Sequence, residues 1–171
     1  MSSITLYAGE NFAGKGDVVT NNRSSYQPGS PVQSISVQGD AIWIVYSQPN
    51  YKGVNIAVYK QGEYKSNLKI QNIRSLQILP GTLENHSIQV FEENNWKIPA
   101  PTIEKASNPS VSFPIKSHKV DNGVWILHDV TGFAGNSAVS IAQNTVANET
   151  NIGLGEVVKS LKAYVTYETP N

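Results

Sequence analysis

The sequence is poor in several features that would point to particular functions. It contains no cysteine, which excludes disulfide bonds and thiolate metal sites. Charged residues make up only 15% of the 171 residues, and 13 basic residues balance 13 acidic ones, so the chain has no electrostatic footprint for nucleic acid. No apolar run approaches the length of a membrane span. We therefore expect neither a nucleic-acid partner nor a transmembrane segment.

Catalytic signatures are also missing. The motifs H-x-x-x-H and G-x-S-x-G do not occur, nor does a phosphate-binding glycine loop. The histidines are His86, His118 and His128, which we interpret as linker, packing and ring-stacking residues. We predict a protein that is not an enzyme, with no catalytic residue, cofactor or metal ion. The N-terminal residues show no secretory signal, so we expect a cytoplasmic protein or one exported without a classical signal peptide.

What the chain does contain is a pattern that occurs four times: an aromatic residue, four residues, a second aromatic, one residue and a glycine. The copies recur at about forty residues within each half and about eighty between halves. Two positions depart from the pattern, because Ile98 replaces the third glycine and His128 replaces the fourth leading aromatic. The pattern residues are Tyr7, Phe12 and Gly14; Tyr46, Tyr51 and Gly53; Phe91 and Trp96; and His128, Phe133 and Gly135.

Each copy ends in a short apolar run that carries one serine. These serines are Ser34, Ser75, Ser117 and Ser160. Apolar and polar residues broadly alternate after each serine, which is typical of a half-buried strand, and no stretch has a sustained helical period. A buried hydroxyl needs a hydrogen-bond partner, so we expect each serine to bond the backbone of a folded hairpin that the two aromatics pin.

The aromatic hairpin followed by a strand serine resembles the Greek key motif of the βγ-crystallins, and the resemblance covers nearly the whole chain. It implies an all-β fold of two βγ-crystallin-like Greek key β-sandwich domains. We expect domain 1 at 1–80, with motifs 4–39 and 42–79, then a linker at 81–86. Domain 2 would occupy 87–171, with motifs 87–121 and 123–165. Since Ile98 lacks the freedom of glycine at positive φ, the third hairpin is expected to be distorted.

The resemblance also raises the question of calcium, which many microbial members of the family bind. Their pattern is two Asn or Asp residues, two residues of any type, Ser or Thr, and then the strand serine. Calcium prefers oxygen ligands. At the Ser/Thr position this chain has Gln33, Arg74, Lys116 and Lys159. We interpret all four as disabled calcium positions, because none carries the expected hydroxyl and three are cations.

Family geometry suggests that each of the three cations faces the hairpin of the partner motif. The hypothesis is that a cation occupies the vacated site and pairs with an acid there. Arg74 would then pair with Glu10, and Lys116 would pair with Asp129. For Lys159 the expected partners are the adjacent acids 92 and 93. The alternative is that these are surface charges of little energetic value.

By resemblance, the expected function is that of a non-enzymatic structural or stress-associated protein without functional calcium sites. One alternative is a binding module for a glycan, an adhesion partner or a membrane protein, for which an exposed Trp96 would be a stacking platform. A second alternative is a calcium-regulated dormancy or adhesion protein. A third is an inhibitor that presents the proline-rich stretch 98–102. The domains could pair within one chain or between two chains of a homodimer.

Overall fold

The computed structural model describes residues 1–171 and is built from antiparallel β-strands with three short 3-10 turns. The chain divides into two units. One comprises Met1–Leu79 together with Thr166–Asn171, and the other comprises Pro80–Val165. The C-terminal boundary departs from the expected one, because the last six residues belong to the first unit and not to the second. No helix has the length and apolar character required to cross a membrane.

The first unit contains two sheets, one of which includes a strand from the other motif. Its strands are β1 (Ser3–Tyr7), β2 (Gly16–Val19), β3 (Ser34–Gln38), β4 (Ile42–Tyr46), β5 (Ile56–Tyr59), β6 (Gly62–Tyr64) and β7 (Ser75–Leu79). One sheet has the order β2-β1-β3-β6 and the other has the order β5-β4-β7. Strand β6 comes from the second motif but pairs with β3 of the first, which is the connection expected of a Greek key.

The core of the first unit lies between these two sheets. Strand β1 alternates, so that Ile4 and Leu6 point inward while their neighbours are partly exposed, as the period of two requires. Trp43 and Tyr59 from the other sheet complete the same cluster and are fully buried. Tyr64 closes one end, where its hydroxyl donates to the carbonyl of Lys60 at 2.9 Å.

The second unit repeats this architecture. Its strands are β8 (Ser87–Glu93), β9 (Lys97–Pro99), β10 (Ser107–Asn108), β11 (Ser117–Asn122), β12 (Val124–Val130), β13 (Ala134–Ile141), β14 (Thr145–Val146) and β15 (Ser160–Ala163). The sheets have the orders β14-β11-β8-β9 and β10-β15-β12-β13. In this unit each sheet contains a strand from the other motif, since β14 pairs with β11 and β10 pairs with β15. The predicted all-β Greek key fold is therefore confirmed.

The core of the second unit is built around Trp125, the counterpart of Trp43. Leu127, Val90 and Leu161 pack in the same cluster between the two sheets. The interior also holds ionisable groups, because His118 and Glu149 are fully buried in this unit. The short 3-10 turn Glu149–Ile152 supplies Glu149.

The C-terminal tail, 166–171, packs on the first unit. The backbone N–H of Glu168 donates to the carbonyl of Val58 at 2.8 Å, and a carboxylate oxygen of Glu168 accepts from the N–H of Lys69 at 2.6 Å. The ammonium of Lys60 lies 5.0 Å from the ring centre of Tyr167. These contacts explain why the tail groups with the first unit although it follows the second in the chain.

Candidate functional site

Four folded hairpins are the most regular local feature of the structure. Each has left-handed backbone at the same positions of the repeated pattern. In the first hairpin Asn11, Phe12 and Gly14 have φ values of 52°, 63° and 85°. Glycine adopts this region freely, whereas a residue with a side chain is strained there by roughly 1–2 kcal/mol. The backbone of each hairpin therefore needs other interactions to hold it.

A sequence signal for this conformation was available in the residue before the second aromatic. That residue is Asn11, Asn50, Asn95 or Gly132, and all four have positive φ. Asparagine and glycine are the residues that enter the left-handed region most readily. The aromatic pattern includes only the final glycine of each hairpin, so it did not predict the left-handed backbone at this earlier position.

The strand serines provide the interactions that hold the hairpins. Ser34 is fully buried, accepts a hydrogen bond from the N–H of Phe12 at 3.0 Å and donates to the carbonyl of Gly9 at 2.6 Å. The other three repeat this arrangement: Ser75 with Tyr51 and Gln48, Ser117 with Trp96 and Glu93, and Ser160 with Phe133 and Val130. Each hydroxyl thus uses its donor and one acceptor position to close a hairpin without any external group.

Three hairpins also carry a pair of rings in contact. The ring centres of Tyr7 and Phe12 are 5.4 Å apart, and those of His128 and Phe133 are 5.8 Å apart. The second hairpin has the same separation, 5.8 Å, between its two tyrosines. These distances fall in the favourable range for edge-on and tilted rings. The imidazole of His128 therefore occupies the place of the missing aromatic.

The third hairpin keeps the fold of the others, contrary to the expected distortion. Ile98 adopts φ of 55° where the other hairpins have glycine, and its side chain is 55% exposed. The ammonium of Lys119 lies 4.8 Å from the ring centre of Trp96 and 5.9 Å from that of Phe91. Trp96 is half-buried, and its indole N–H donates to the carbonyl of His118 at 3.2 Å. It is not the exposed platform that the sequence suggested.

At three of the four positions before the serines, the side chain does not fit calcium. Gln33 is half-buried, and Arg74 and Lys159 are exposed. Lys116 approaches Glu93 at 3.7 Å. A guanidinium or an ammonium cannot replace an oxygen ligand, and its charge repels a divalent ion.

The predicted pairing of these cations is largely wrong. Lys116 pairs with Glu93 of its own hairpin and not with Asp129. Arg74 and Lys159 form no ion pair within 4.0 Å, so neither cation pairs with the acids predicted for it. Asp129 instead accepts hydrogen bonds from the N–H of Asn136 at 2.8 Å and from that of Gly155 at 2.9 Å. The predictions failed because each cation has a long side chain whose direction the sequence does not determine.

Each unit has a surface cavity, and the linings of the two cavities share some equivalent positions of the repeat. The first has a volume of about 510 Å³ and is lined by Arg74 and Ser47 among others. The second has a volume of about 580 Å³ and is lined by Lys159 and Asp129 among others. Ser47 and Asp129 each follow the leading residue of a hairpin, and Arg74 and Lys159 each precede a strand serine. The repeat therefore places a basic residue at the same point of each cavity.

A buried polar network in the second unit was not foreseen. One ring nitrogen of His118, Nδ1, lies 2.7 Å from Oε1 of Glu149, and the other, Nε2, lies 2.8 Å from Oγ of Ser140. The three side chains have the connectivity of a serine hydrolase triad. However, His118 and Glu149 have no exposed surface and Ser140 is 1% exposed, so no substrate carbonyl can reach the hydroxyl. His118 is a buried packing residue, as predicted, but its two polar partners were not expected from the sequence.

His128 is the second unusual histidine. It is 6% exposed, and neither ring nitrogen has a hydrogen-bond partner. Burial lowers the pKa of His128, and the nearby charge of Lys162 lowers it further, while Asp129 opposes the shift. An imidazole in this place favours its neutral form, in which it behaves as a flat ring.

Comparison with known proteins gives matches to βγ-crystallins. Residues 3–82 match the family model described as Beta/Gamma crystallin. An epidermal differentiation-specific protein of Cynops pyrrhogaster is 27% identical over 164 residues, which cover 92% of this chain and 48% of that protein. Gamma-crystallin D of Mus musculus is 27% identical over 146 residues, which cover 79% of this chain and 81% of that protein.

The chain thus spans about half the length of the Cynops protein. Among solved structures, geodin, a beta-gamma crystallin from Geodia cydonium, aligns with 95% of this chain and 99% of its own, at 18% identity and a TM-score of 0.41. The family model covers the first unit, and the hairpin and serine geometry of that unit is repeated in the second. The chain is therefore similar to the βγ-crystallins, and residues 3–82 match their family model.

Proposed function

We propose that this chain is a non-enzymatic structural or stress-associated protein whose two units hold their fold without calcium. The observation that carries the proposal is the closure of every hairpin by its own buried serine, with bonds of 2.6 Å to a carbonyl and 3.0–3.1 Å to an N–H. A hairpin closed in this way satisfies its strained backbone internally and needs no ion to fix it.

The residues around the serines support the same conclusion. Cations stand at three of the four family ligand positions, and one of them already approaches an acid of its own hairpin, since Lys116 lies 3.7 Å from Glu93. That pair is largely exposed and is worth at most about 1 kcal/mol. Its significance is therefore not stability, but the presence of a positive charge where an ion would have to sit.

A catalytic role is disfavoured by the burial of the single constellation that resembles one. Ser140, His118 and Glu149 are enclosed in the core of the second unit. We expect a fluorophosphonate probe, which labels activated serines, to leave Ser140 unmodified in the folded protein. Labelling at Ser140, located by peptide mass spectrometry, would contradict the proposal and point to a hydrolase.

Calcium independence is tested by calorimetric titration together with thermal unfolding in calcium and in chelator. We expect no binding heat at affinities tighter than roughly 0.1 mM, the weak end of the usual range, and the same unfolding midpoint in both conditions. Binding in that range with a raised midpoint would overturn the proposal in favour of a calcium-regulated protein.

The first motif offers a positive control for this experiment. The changes Gly29→Asn, Ser30→Asp and Gln33→Ser restore the family pattern before Ser34, and nothing lies within 4 Å of a Cβ placed at Gly29. Because Arg74 lines the same cavity as Ser30, the control also carries Arg74→Gln. A calcium signal in this variant and none in the natural chain would show that the ligand set, and not the assay, accounts for the difference.

A further inference from the structure

The cavity of the first unit has a positive charge in its lining and no negative charge to balance it. It is lined by Gln27, Pro28, Ser30, Pro31, Ser47, Asn72, Ile73 and Arg74. Arg74 is the only charged residue in this set, and it forms no ion pair within 4.0 Å. Its exposed guanidinium, a planar fork of N–H donors, therefore has no acid to receive them.

The neutral polar side chains that line the cavity also have no hydrogen-bond partner within the protein. The side chains of Ser30, Ser47, Gln27 and Asn72 make no hydrogen bond to another part of the protein. Hydroxyls and amides of this kind can donate to an oxyanion that the guanidinium holds in place. The lining thus combines one cation with neutral hydrogen-bond donors and no acid, which is the composition expected of an anion site.

The walls of this cavity are fixed by backbone hydrogen bonds. The N–H of Tyr26 donates to the carbonyl of Arg74 at 2.8 Å, and the N–H of Arg74 donates to the carbonyl of Tyr46 at 2.8 Å. The N–H of Val32 donates to the carbonyl of Gln71 at 3.0 Å. The loop before the first strand serine and the loop before the second are thereby tied together, so the donors they carry are held near one another before any ligand arrives.

The equivalent cavity of the second unit shows what is particular about the first. Its lining includes Asp129 and Glu156 as well as Lys159, so two negative charges face one positive charge. Partial burial would raise the pKa of Asp129, but hydrogen bonds from Asn136 and Gly155 outweigh it and lower the pKa. This carboxylate is therefore charged at neutral pH and repels an anion. Of the two cavities, only the one that contains Arg74 has a net positive lining.

We propose that the Arg74 cavity binds a small oxyanion, a phosphate or carboxylate group carried by a polar molecule. The guanidinium would hold two oxygens in a forked arrangement, and the neutral donors would bond the remaining oxygens or nearby hydroxyls. This site is separate from the proposed calcium independence, because it requires only the positive charge and its donors.

The test is a titration of the full chain followed by NMR of backbone amides, in buffer depleted of metals on a chelating resin. The probes are inorganic phosphate, galacturonate and uncharged galactose, added separately. We expect saturable shifts at Ser30, Ser47 and Asn72 with phosphate or galacturonate. Saturation by both acids identifies an oxyanion in general, and saturation by one identifies that group. Saturation by galactose, or no saturation by either acid, would overturn the proposal.

Two variants test whether Arg74 accounts for the anion binding. Arg74→Gln removes the charge of an exposed side chain that has no partner in the protein, so the variant is expected to fold, and its thermal midpoint checks this. It should weaken the binding at least about tenfold, because a charge-assisted forked contact is replaced by a neutral one. Lys159→Gln, at the equivalent place in the second unit, should leave the affinity unchanged. Equal affinity in the Arg74→Gln variant, or an equal loss in the Lys159→Gln variant, would overturn the proposal.

Discussion

The two units use one fold but treat the same interior position differently. Ile35 and His118 each follow a strand serine and are each fully buried. In the first unit the position contributes to an apolar cluster. In the second it holds an imidazole whose two nitrogens contact Glu149 and Ser140. The comparison shows that the Greek key fixes where this side chain points, and that the position accepts either an apolar group or an imidazole whose two nitrogens have partners.

The largest expected effect comes from breaking this network. His118→Ala or Glu149→Ala should destabilise the second unit by about 3–5 kcal/mol, because the remaining partner is left buried without its counterpart. Urea unfolding, followed by NMR signals of each unit, measures the loss.

The double change His118→Leu with Glu149→Leu makes the second unit resemble the first. It should recover most of the stability, because replacing both members of a buried polar pair by apolar residues of similar size is often neutral or stabilising. If either single variant lost less than about 1 kcal/mol, the network would contribute little and the comparison with Ile35 would lose its force.

The strand serines should matter equally in both units, which is the test of their common role. Ser75→Ala and Ser160→Ala each remove a buried hydroxyl that bonds one N–H and one carbonyl. We expect each to cost about 1–3 kcal/mol in urea unfolding. Ser112→Ala, at an exposed position, is the control and should change stability by less than about 0.5 kcal/mol. Unequal losses would show that one hairpin depends on something other than its serine.

The third hairpin allows a smaller, reciprocal comparison. Ile98→Gly relieves a β-branched residue at φ of 55°, and it should stabilise the second unit by up to about 1 kcal/mol after the extra chain entropy of glycine is counted. Gly14→Ile introduces the same strain into the first unit without a clash, since nothing lies within 4 Å of its Cβ position. It should cost about 1–2 kcal/mol. Thermal unfolding of both variants checks the opposite signs.

The smallest expected effect is a pH dependence due to His128. Burial lowers its pKa in the folded protein, so the unfolded chain binds the proton more readily. Stability from this group is complete above the ordinary histidine pKa of about 6.5 and is lost as the pH falls below it toward the folded value. His128→Phe should remove this part of the acid sensitivity while keeping the ring contact with Phe133. Unfolding curves that shift identically with pH in both proteins would contradict this assignment.

The sequence determined the architecture because its signals are local and repeated. The aromatic spacing, the left-handed glycines and the serine runs each restrict a few neighbouring residues, and four copies in order leave little choice of fold. The cores around Trp43 and Trp125 were also predictable, since a large apolar residue in a strand is most stable when it is buried.

Tertiary structure alone decided the interactions between distant side chains. The contact of His118 with Glu149 joins residues 31 positions apart, and no local pattern marks them as partners. Lys116 pairs with Glu93 of its own hairpin, whereas Arg74 lines a cavity of neutral polar side chains and has no acidic partner. A long flexible side chain has several possible neighbours, and small differences in interaction energy decide which one it contacts. The repeat thus specified the backbone position of each charged residue, and packing in three dimensions decided which groups its charged atoms contact.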